Sequence, residues 1–166
     1  MLRFHLLTGG QRMDQLQRVL MSDLDRSGES FTMMDPKGKR EVPRVHTVPL
    51  IPPALEAIRQ MGGGEYGPHL FTISGGYKGA SSWTIRDGQR PVLAAMEANG
   101  ELENGVFTPG VIRATVETRL AEMAVPREVR GHLQSHGLSG VQERHYNKYE
   151  YFDEKKQALE RLYEIF

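Results

Sequence analysis

The sequence contains no cysteine, which excludes disulfide bonds, thiolate metal sites and cysteine nucleophiles. It has no signal peptide, and no apolar run approaches the roughly 18 residues of a membrane span, so we expect a soluble cytoplasmic protein. Neither sign of charge is in excess, because 21 Lys and Arg balance 21 Asp and Glu. The composition alone therefore indicates neither a nucleic-acid nor a membrane partner, and any basic surface has to be local.

The length and the remaining composition are those of one folded domain. A chain of 166 residues is long enough to bury a sizeable core. Apolar residues make up 39% of the chain and charged residues 25%, without low-complexity tracts or repeats, so wholesale disorder is excluded. We therefore expect a single domain over residues 1–166 and look for one site.

The first third of the chain predicts a helix followed by a hairpin. The opening "MLRFHLLTGG" is an apolar run that ends at a Gly-Gly break, and apolar residues then recur at helical spacing, which predicts a helix over residues 11–21. In "ESFTMMDPKGKREVPRVHTVPL" two strand-like runs flank a turn centred on residues 35–38. This stretch predicts a β-hairpin with a basic tip.

The rest of the chain predicts helices. Two of them have clear starts: the prolines of "PPALEAIRQM" suit a first turn, and Thr108 is a candidate N-cap before Pro109. Pro126 ends that second helix and starts another, and residues 91–99 are also predicted to be helical. The C-terminal segment places a set of apolar residues on one face, namely Ala158, Leu159, Leu162, Tyr163 and Phe166. The fold class that we expect is α+β, mainly helical, with a small antiparallel sheet.

Four places concentrate side chains suited to chemistry. They are Arg12 after "TGGQ", Lys37 at the hairpin tip, Arg113 within "VIRAT", and the segment "SHGLSGVQERHYNKYEY", which carries His136 and Tyr146. Each alone also has an ordinary explanation. A lone arginine usually lies on the surface, a lysine in a turn is a solvated charge, and a histidine often caps a helix.

Together, and in this order, the four blocks resemble the tyrosine recombinase (phage integrase) family over about residues 5–166. "LLTGGQRMDQLQRVLMSDLD" resembles its first-arginine region, and "DPKGKREVPRVHTVPL" its lysine-bearing hairpin. "VIRATVETRLAEMAVPREVRGHLQSHG" resembles the helix of the second arginine and the helix that delivers a histidine. "GVQERHYNKYEY" is similar to the segment of the nucleophilic tyrosine. The resemblance implies the fold of that family's catalytic domain.

The resemblance also implies roles. Tyr146 attacks the DNA phosphate and forms a 3′-phosphotyrosyl link, while Arg12 and Arg113 clamp the nonbridging oxygens, as planar guanidinium groups do well. Lys37 protonates the departing 5′ oxygen, and His136 hydrogen-bonds the phosphate or assists proton transfer. The arginines take the place of a metal, so no cofactor and no metal ion are expected.

Several assignments in these blocks have alternatives. Lys39 is the second candidate for the general acid, and Tyr149 and Tyr151 compete with Tyr146 for the role of nucleophile. We prefer Tyr146 for its spacing from His136. The other two tyrosines and His145 are then supporting residues, which pack or contact DNA. His132 is expected to be structural.

The resemblance implies double-stranded DNA as the partner. Lys39, Arg40 and Arg44 on the hairpin are candidates for salt-dependent phosphate contacts. The family acts as a synaptic tetramer on DNA, so a homo-oligomer is expected there, although the isolated domain is expected to be monomeric. The C-terminal helix is expected to pack in its own chain, while in the family such a tail docks on a neighbouring protomer.

Two departures from the family keep other functions open. Gly110 stands three positions before Arg113, where the family usually has His, Lys or another polar residue, and the family's N-terminal core-binding domain is expected to be absent from this chain. The first hypothesis is a recombinase that integrates or excises a phage or mobile element. The alternatives are an inactive DNA-binding remnant of an integrase and a type IB topoisomerase.

Overall fold

The computed structural model describes residues 1–36, 43–62, 66–103, 105–136 and 149–166. These residues form helices around a two-stranded sheet, with a 3-10 helix at Met21–Asp23. In chain order the elements are α1 Leu2–Leu7, α2 Met13–Leu16, β1 Ser30–Asp35, β2 Arg44–Pro49, α3 Pro52–Met61, α4 Ser82–Ala98, α5 Pro109–Glu122, α6 Arg127–Gln134 and α7 Phe152–Tyr163. The α+β, mainly helical class predicted from the sequence is confirmed.

The two strands confirm the predicted hairpin. β1 and β2 pair antiparallel, from Ser30 opposite Pro49 to Asp35 opposite Arg44. Side chains alternate along a strand, so Phe31, Met33 and Asp35 share the buried face of β1. The tip of the hairpin, residues 37–42, lies outside the described residues.

The core lies between the sheet and the helices. The ring of Phe4 in α1 packs against Phe31 at a centroid distance of 5.5 Å and against Phe71 at 5.3 Å. Leu120 of α5 and Leu133 of α6 are fully buried in the same cluster. The core therefore joins residues from the beginning, the middle and the end of the chain.

The helix predicted over residues 11–21 is wrong in its second half. α2 ends at Leu16, and the main chain that follows pairs with a distant segment. Leu70 N donates to Val19 O at 3.1 Å, and Met21 N donates to Pro68 O at 2.7 Å. These tertiary hydrogen bonds take the place of helical ones, which the local apolar pattern could not show.

The helix predicted over residues 91–99 is longer than expected. α4 begins at Ser82, because the Ser81 side chain accepts a hydrogen bond from Thr84 N at 3.1 Å and acts as the N-cap. Pro91 lies inside this helix rather than at its start. The predicted segment therefore covers only the second half of α4.

α5, which carries Arg113, and α6, which precedes His136, begin where the sequence predicted. Thr108 Oγ1 accepts from Val111 N at 3.3 Å and Pro109 is the first residue of α5, while α6 starts directly after Pro126. Val116 and Leu120 point into the core and fix the rotation of α5. Arg113 is thereby placed on the side of the helix that faces the α1–α2 turn.

The C-terminal helix packs on its own chain, as expected, but with a different face. Ala158, Leu159 and Leu162 are buried, whereas Tyr163 is 44% and Phe166 61% exposed, so the predicted face was wrong for these two residues. Residues 155, 158, 159 and 162 follow the helical period, and Lys155 takes the inward position instead. Its Nζ donates to Thr47 O of β2 at 2.7 Å.

No helix within the described ranges has the length and hydropathy needed to cross a membrane.

Candidate active site

The α1–α2 turn brings Arg12 against the helix of Arg113. Gly9 and Gly10 have φ angles of +83° and +68°, a left-handed backbone that glycine adopts readily. A Cβ on Gly10 would lie only 2.8 Å from the Cα of Arg113. Gly10 is therefore needed for the close approach of two backbones.

The buried side chain of Gln11 holds this turn in place through hydrogen bonds. Its side chain is 1% exposed, and Nε2 donates to Thr8 O at 2.6 Å and to Leu133 O at 2.9 Å. The Oε1 atom lies 3.1 Å from Nε2 of His46 in β2. One side chain thus joins α1, the sheet and the end of α6 beneath the arginines.

Both arginines bind the C-terminal end of α6. Arg113 Nη2 donates to Gln134 O at 2.6 Å, and Arg12 Nη2 donates to Ser135 O at 2.9 Å, so two consecutive carbonyl groups hold the two guanidinium groups. Arg113 Nη1 also donates to Gly10 O at 2.7 Å. The carboxyl end of a helix carries partial negative charge, which favours cations there.

Ser135 and Asp35 complete the frame around Arg12. Ser135 has a φ of +50°, which is unfavourable for a residue with a Cβ and turns the chain at the end of α6. Its Oγ donates to Asp35 Oδ2 at 2.5 Å, while Gln15 Nε2 donates to Asp35 Oδ1 at 2.7 Å. Arg12 Nη1 lies 3.5 Å from Asp35 Oδ2. Asp35 therefore links the hairpin to the turn of Arg12.

His136 follows directly on the residue that holds Arg12. Its main-chain N donates to Gly131 O at 2.9 Å, which fixes the backbone, and its side chain is 39% exposed. Nε2 lies 3.6 Å from Oε2 of Glu117 in α5. Burial lowers the pKa of His136, Arg113 and Arg12 lower it further, and Glu117 opposes them.

Arg12, Arg113 and His136 form a cluster in which Arg113 keeps its positive charge. Burial, followed by the nearby charge of Arg12, lowers the pKa of Arg113 to about 10, so the group remains a cation at neutral pH. The hydrogen bonds of Arg113 go to carbonyl oxygens, which orient the guanidinium without cancelling its charge. Such an arrangement favours an anion with several oxygens in front of the arginines.

The structure thus brings Arg12, Arg113 and His136 together from the regions that the sequence singled out. Arg44 lies at the start of β2, opposite Asp35. The other predicted site residues lie outside the described residues: Lys37, Lys39, Arg40, His145 and Tyr146. Their roles stay predictions.

Tyr149 and Tyr151 of the C-terminal segment contact each other and neighbouring side chains. Tyr149 Oη donates to Glu154 Oε1 at 3.0 Å, and its ring meets Tyr151 edge-on at 4.8 Å. Tyr151 in turn packs on the ring of the buried His132 at 4.7 Å. These are packing contacts. The supporting role expected for the two tyrosines and the structural role expected for His132 stay predictions.

Gly110 lies in the first turn of α5, one turn before Arg113. The nearest atom that an added Cβ would meet is Thr108 Oγ1, at 3.5 Å. A side chain would therefore fit at this position, and the glycine is not required by packing.

Sequence reasoning missed the residues that support the cluster: Gln11, Asp35, Glu117, Gln134 and Ser135. Only Asp35 carried a usable signal. It continues the inward positions of Phe31 and Met33, and a carboxylate at an inward strand position needs buried partners. For the others the partners are distant in sequence, as for Gln134, whose Nε2 donates to Gly9 O at 3.0 Å.

With the geometry established, the class of fold can be stated: the chain has the fold of a tyrosine recombinase catalytic domain. One similar structure is the integrase of transposon Tn1549 in complex with circular intermediate DNA, at 18% sequence identity and a TM-score of 0.59, covering 94% of this chain and 55% of that one. Another is the XerA recombinase, at 18% identity and a TM-score of 0.58, covering 97% and 54%.

A variant of the Tn1549 integrase with a different circular intermediate DNA is similar at 19% identity and a TM-score of 0.62, covering 97% of this chain and 57% of that one. This chain spans a little over half the length of these solved chains. No family model and no curated protein matches the sequence. The likeness therefore establishes the fold, and the function has to be argued from the residues.

Proposed function

We propose that this chain is the catalytic domain of a site-specific DNA recombinase that cuts and rejoins strands through a 3′-phosphotyrosyl intermediate. The observation that carries the proposal is the pair of guanidinium groups held by the consecutive carbonyls of Gln134 and Ser135, with His136 beside them. This arrangement suits one phosphodiester group. The fold, shared with integrases and a recombinase, supports the same function.

The arginines stabilise the negative charge that develops on the phosphate oxygens. In-line attack places extra negative charge on the nonbridging oxygens, and cations that are already oriented need no reorganisation when this charge appears. Main-chain carbonyls orient Arg12 and Arg113 before any DNA binds. Two side chains at a fixed separation can therefore bind both nonbridging oxygens.

Tyr146 is the proposed nucleophile. The phenol gives up its proton, a transfer that His136 is a candidate to assist, and its oxygen attacks phosphorus. The bond from phosphorus to the 5′ oxygen breaks, and the leaving oxygen takes a proton from Lys37, with Lys39 as the second candidate. The phosphotyrosyl ester conserves the energy of the broken bond. A 5′ hydroxyl of another strand then attacks phosphorus, expels the tyrosine and restores the phosphodiester.

His136 is proposed to donate a hydrogen bond to the phosphate or to assist the proton transfer at the nucleophile. An imidazole suits either task because its ordinary pKa lies near neutrality. Burial and the two arginines lower the pKa of His136, which favours the neutral ring in the free protein. A bound phosphate adds negative charge and would favour the protonated ring.

The partner is double-stranded DNA, in the integration or excision of a phage or mobile element. We propose a synaptic tetramer on DNA, with the isolated domain monomeric, and phosphate contacts from Lys39, Arg40 and Arg44. The Tn1549 integrase, which has the same fold, is solved with the circular intermediate DNA of its transposon. We take residues 1–166 as a single catalytic domain.

The test is covalent capture on a nicked suicide duplex that carries the recombination site. Tyr146→Phe removes the attacking oxygen and keeps the ring, so DNA binding should persist while the 3′-linked adduct disappears. Tyr149→Phe and Tyr151→Phe are matched controls and should still form the adduct. Capture that depends on Tyr149 or Tyr151 instead would show that the spacing from His136 was misinterpreted.

The alternatives give different results in the same assay. A wild-type protein that binds the site without forming any adduct is the inactive remnant, a reading that the missing side chain at Gly110 motivates. A protein that forms the adduct and relaxes supercoiled DNA without exchanging strands behaves as a type IB topoisomerase.

A further inference from the structure

Glu117 lies between the proposed active site and the neighbouring helix. It follows Arg113 by one turn of α5, so both side chains lie on the same side of that helix. Glu117 Oε1 accepts from Arg130 Nε of α6 at 2.9 Å, and Oε2 lies 3.6 Å from His136 Nε2. A single carboxylate thus contacts a cation on one side and the histidine on the other.

The Glu117 oxygen that faces His136 has no hydrogen-bond donor among the described residues. Glu117 Oε2 is buried and makes no hydrogen bond within that part of the chain. A buried carboxylate oxygen without a donor is costly, and Nε2 of His136 lies 3.6 Å away, slightly beyond hydrogen-bonding distance. The geometry therefore favours a proton on Nε2.

The charges that face His136 come from two elements. Arg12 approaches from the turn before α2, and Arg113 and Glu117 approach from α5. The two arginines disfavour a proton on the imidazole and Glu117 favours it. Among the described groups around the ring, Glu117 is the one that offsets the arginines.

We propose that Glu117 is a positioning residue for His136, which orients the imidazole through Nε2 and keeps the ring protonatable beside two arginines. The link to strand cleavage rests on the proposed function, whereas the coupling between the two side chains does not. With Nε2–H directed to Glu117, the second nitrogen, Nδ1, accepts a hydrogen bond in the neutral ring and donates one in the charged ring. Glu117 thereby determines which nitrogen meets the substrate.

The direct test is an NMR titration of the His136 ring in the DNA-free protein. Glu117→Gln keeps the size of the side chain and can still accept from Arg130, but it removes the negative charge beside His136. The proton affinity of His136 should fall by about threefold or more, and the neutral ring should lose its preference for a proton on Nε2. An unchanged titration and tautomer would overturn the proposal.

Arg130→Gln is the matched control. It breaks the other contact of the same carboxylate and leaves the pair of Glu117 and His136 in place. If Glu117 served only to hold α5 and α6 together, both variants would change the titration alike. We expect the proton affinity of His136 to stay the same or rise in Arg130→Gln, and an equal fall in both variants refutes a positioning role.

Glu117→Asp covers the case in which the glutamine variant fails to fold. The shorter side chain withdraws the carboxylate from His136, so we expect a smaller fall in proton affinity in the same direction. An unchanged titration in this variant also counts against the proposal.

The activity test separates this inference from the proposed function. When the rate of covalent capture is measured against pH, one limb of the profile should follow the protonation of His136. Glu117→Gln should move this limb to lower pH by the same factor by which it lowers the proton affinity in the titration. If the wild type forms no adduct, the proposed function fails while the titration still decides the coupling. If the wild type forms the adduct and the glutamine variant has an unchanged pH profile, the positioning role fails alone.

Discussion

Two buried glutamines show how differently two regions of this molecule are built. Gln11, 1% exposed, satisfies carbonyl groups of α1 and α6 and contacts β2. Gln89, 6% exposed, is the buried residue of α4, and within the described residues its Nε2 has no hydrogen-bond partner. The same side chain is fully satisfied in one region and incompletely satisfied in the other.

The surroundings of the two residues differ in the same way. Gln11 lies beneath the arginines, where hydrogen bonds join segments far apart in sequence. Gln89 lines a cavity of about 510 Å³ between α1 and α4, and α4 leaves Trp83 65% and Val92 44% exposed. Hydrogen bonds between distant segments thus surround the two guanidinium groups, whereas α4 presents large apolar side chains to solvent.

The largest effect is expected from Arg113→Ala. Loss of a preorganised charge contact should lower the rate of covalent capture by roughly 10²–10³-fold, or about 3–4 kcal/mol of transition-state stabilisation. Single-turnover kinetics on the suicide duplex measure this rate. The comparison between regions predicts that removing a cation outside the cluster has no such effect.

Arg119→Ala is the control on the same helix. Arg119 is exposed and pairs with Glu122 one turn away, a surface contact worth at most about 1 kcal/mol. Its capture rate should remain within a few-fold of the wild type. Because Arg113→Ala also frees two carbonyl groups, thermal unfolding has to show that this variant is folded; equal rates in the two variants would remove Arg113 from the mechanism.

The second effect concerns the two glutamines themselves. Gln11→Ala leaves buried carbonyl groups without a donor and opens a cavity, so the free energy of unfolding should fall by about 2–4 kcal/mol. Gln89→Leu replaces an amide with an unpartnered nitrogen by an apolar group of similar size, and stability should stay within about 0.5 kcal/mol or rise. Urea denaturation of both variants measures the difference, and similar losses would contradict the contrast.

A smaller effect is expected from acid. Burial lowers the pKa of His5 to about 4, and burial with the nearby Lys155 lowers that of His46 to about 3, from ordinary values of 6.5. Both rings are neutral in the folded protein and bind protons on unfolding, so their contribution to stability is full above pH 6.5 and falls as the pH drops toward 4 and 3. His46→Gln should weaken this dependence.

Stability against urea at pH 7.0 and 5.0 measures the acid effect, which should amount to about 1–3 kcal/mol for the wild type. Both histidines belong to the network of Gln11, through Gln11 O for His5 and Oε1 for His46. A pH dependence that survives His46→Gln unchanged, together with an intact fold, would locate the acid sensitivity elsewhere.

The sequence predicted the fold class, the hairpin strands and the starts of α5 and α6, because those features depend on local signals such as Thr108 and Pro126. The order of the blocks also singled out Arg12, Arg113 and His136, which the structure brings together, while their catalytic roles stay predictions. The prediction failed where tertiary contacts override local pattern. Val19 and its neighbours pair with residues near Leu70 instead of continuing a helix.

The supporting residues were missed for a related reason. Gln11 and Leu133 are 122 positions apart, and Arg12 and Ser135 are 123 apart, so no local period connects them. The buried face of α7 was misjudged because Lys155 lies inward, where its amine binds Thr47 O and burial lowers its pKa to about 8. The sequence does not show that the amine of an inward lysine has a carbonyl acceptor in a distant strand.

The shared attachment of the two arginines has a consequence for precision. Gln134 O and Ser135 O belong to neighbouring peptide units, so a thermal displacement of the end of α6 moves both anchors, and hence both guanidinium groups, in the same direction. Their positional errors are then correlated, and the error in their separation is smaller than the error in either position. The distance between the two charges is therefore preserved even while the helix that holds them fluctuates, which suits the phosphate contact that we propose for them.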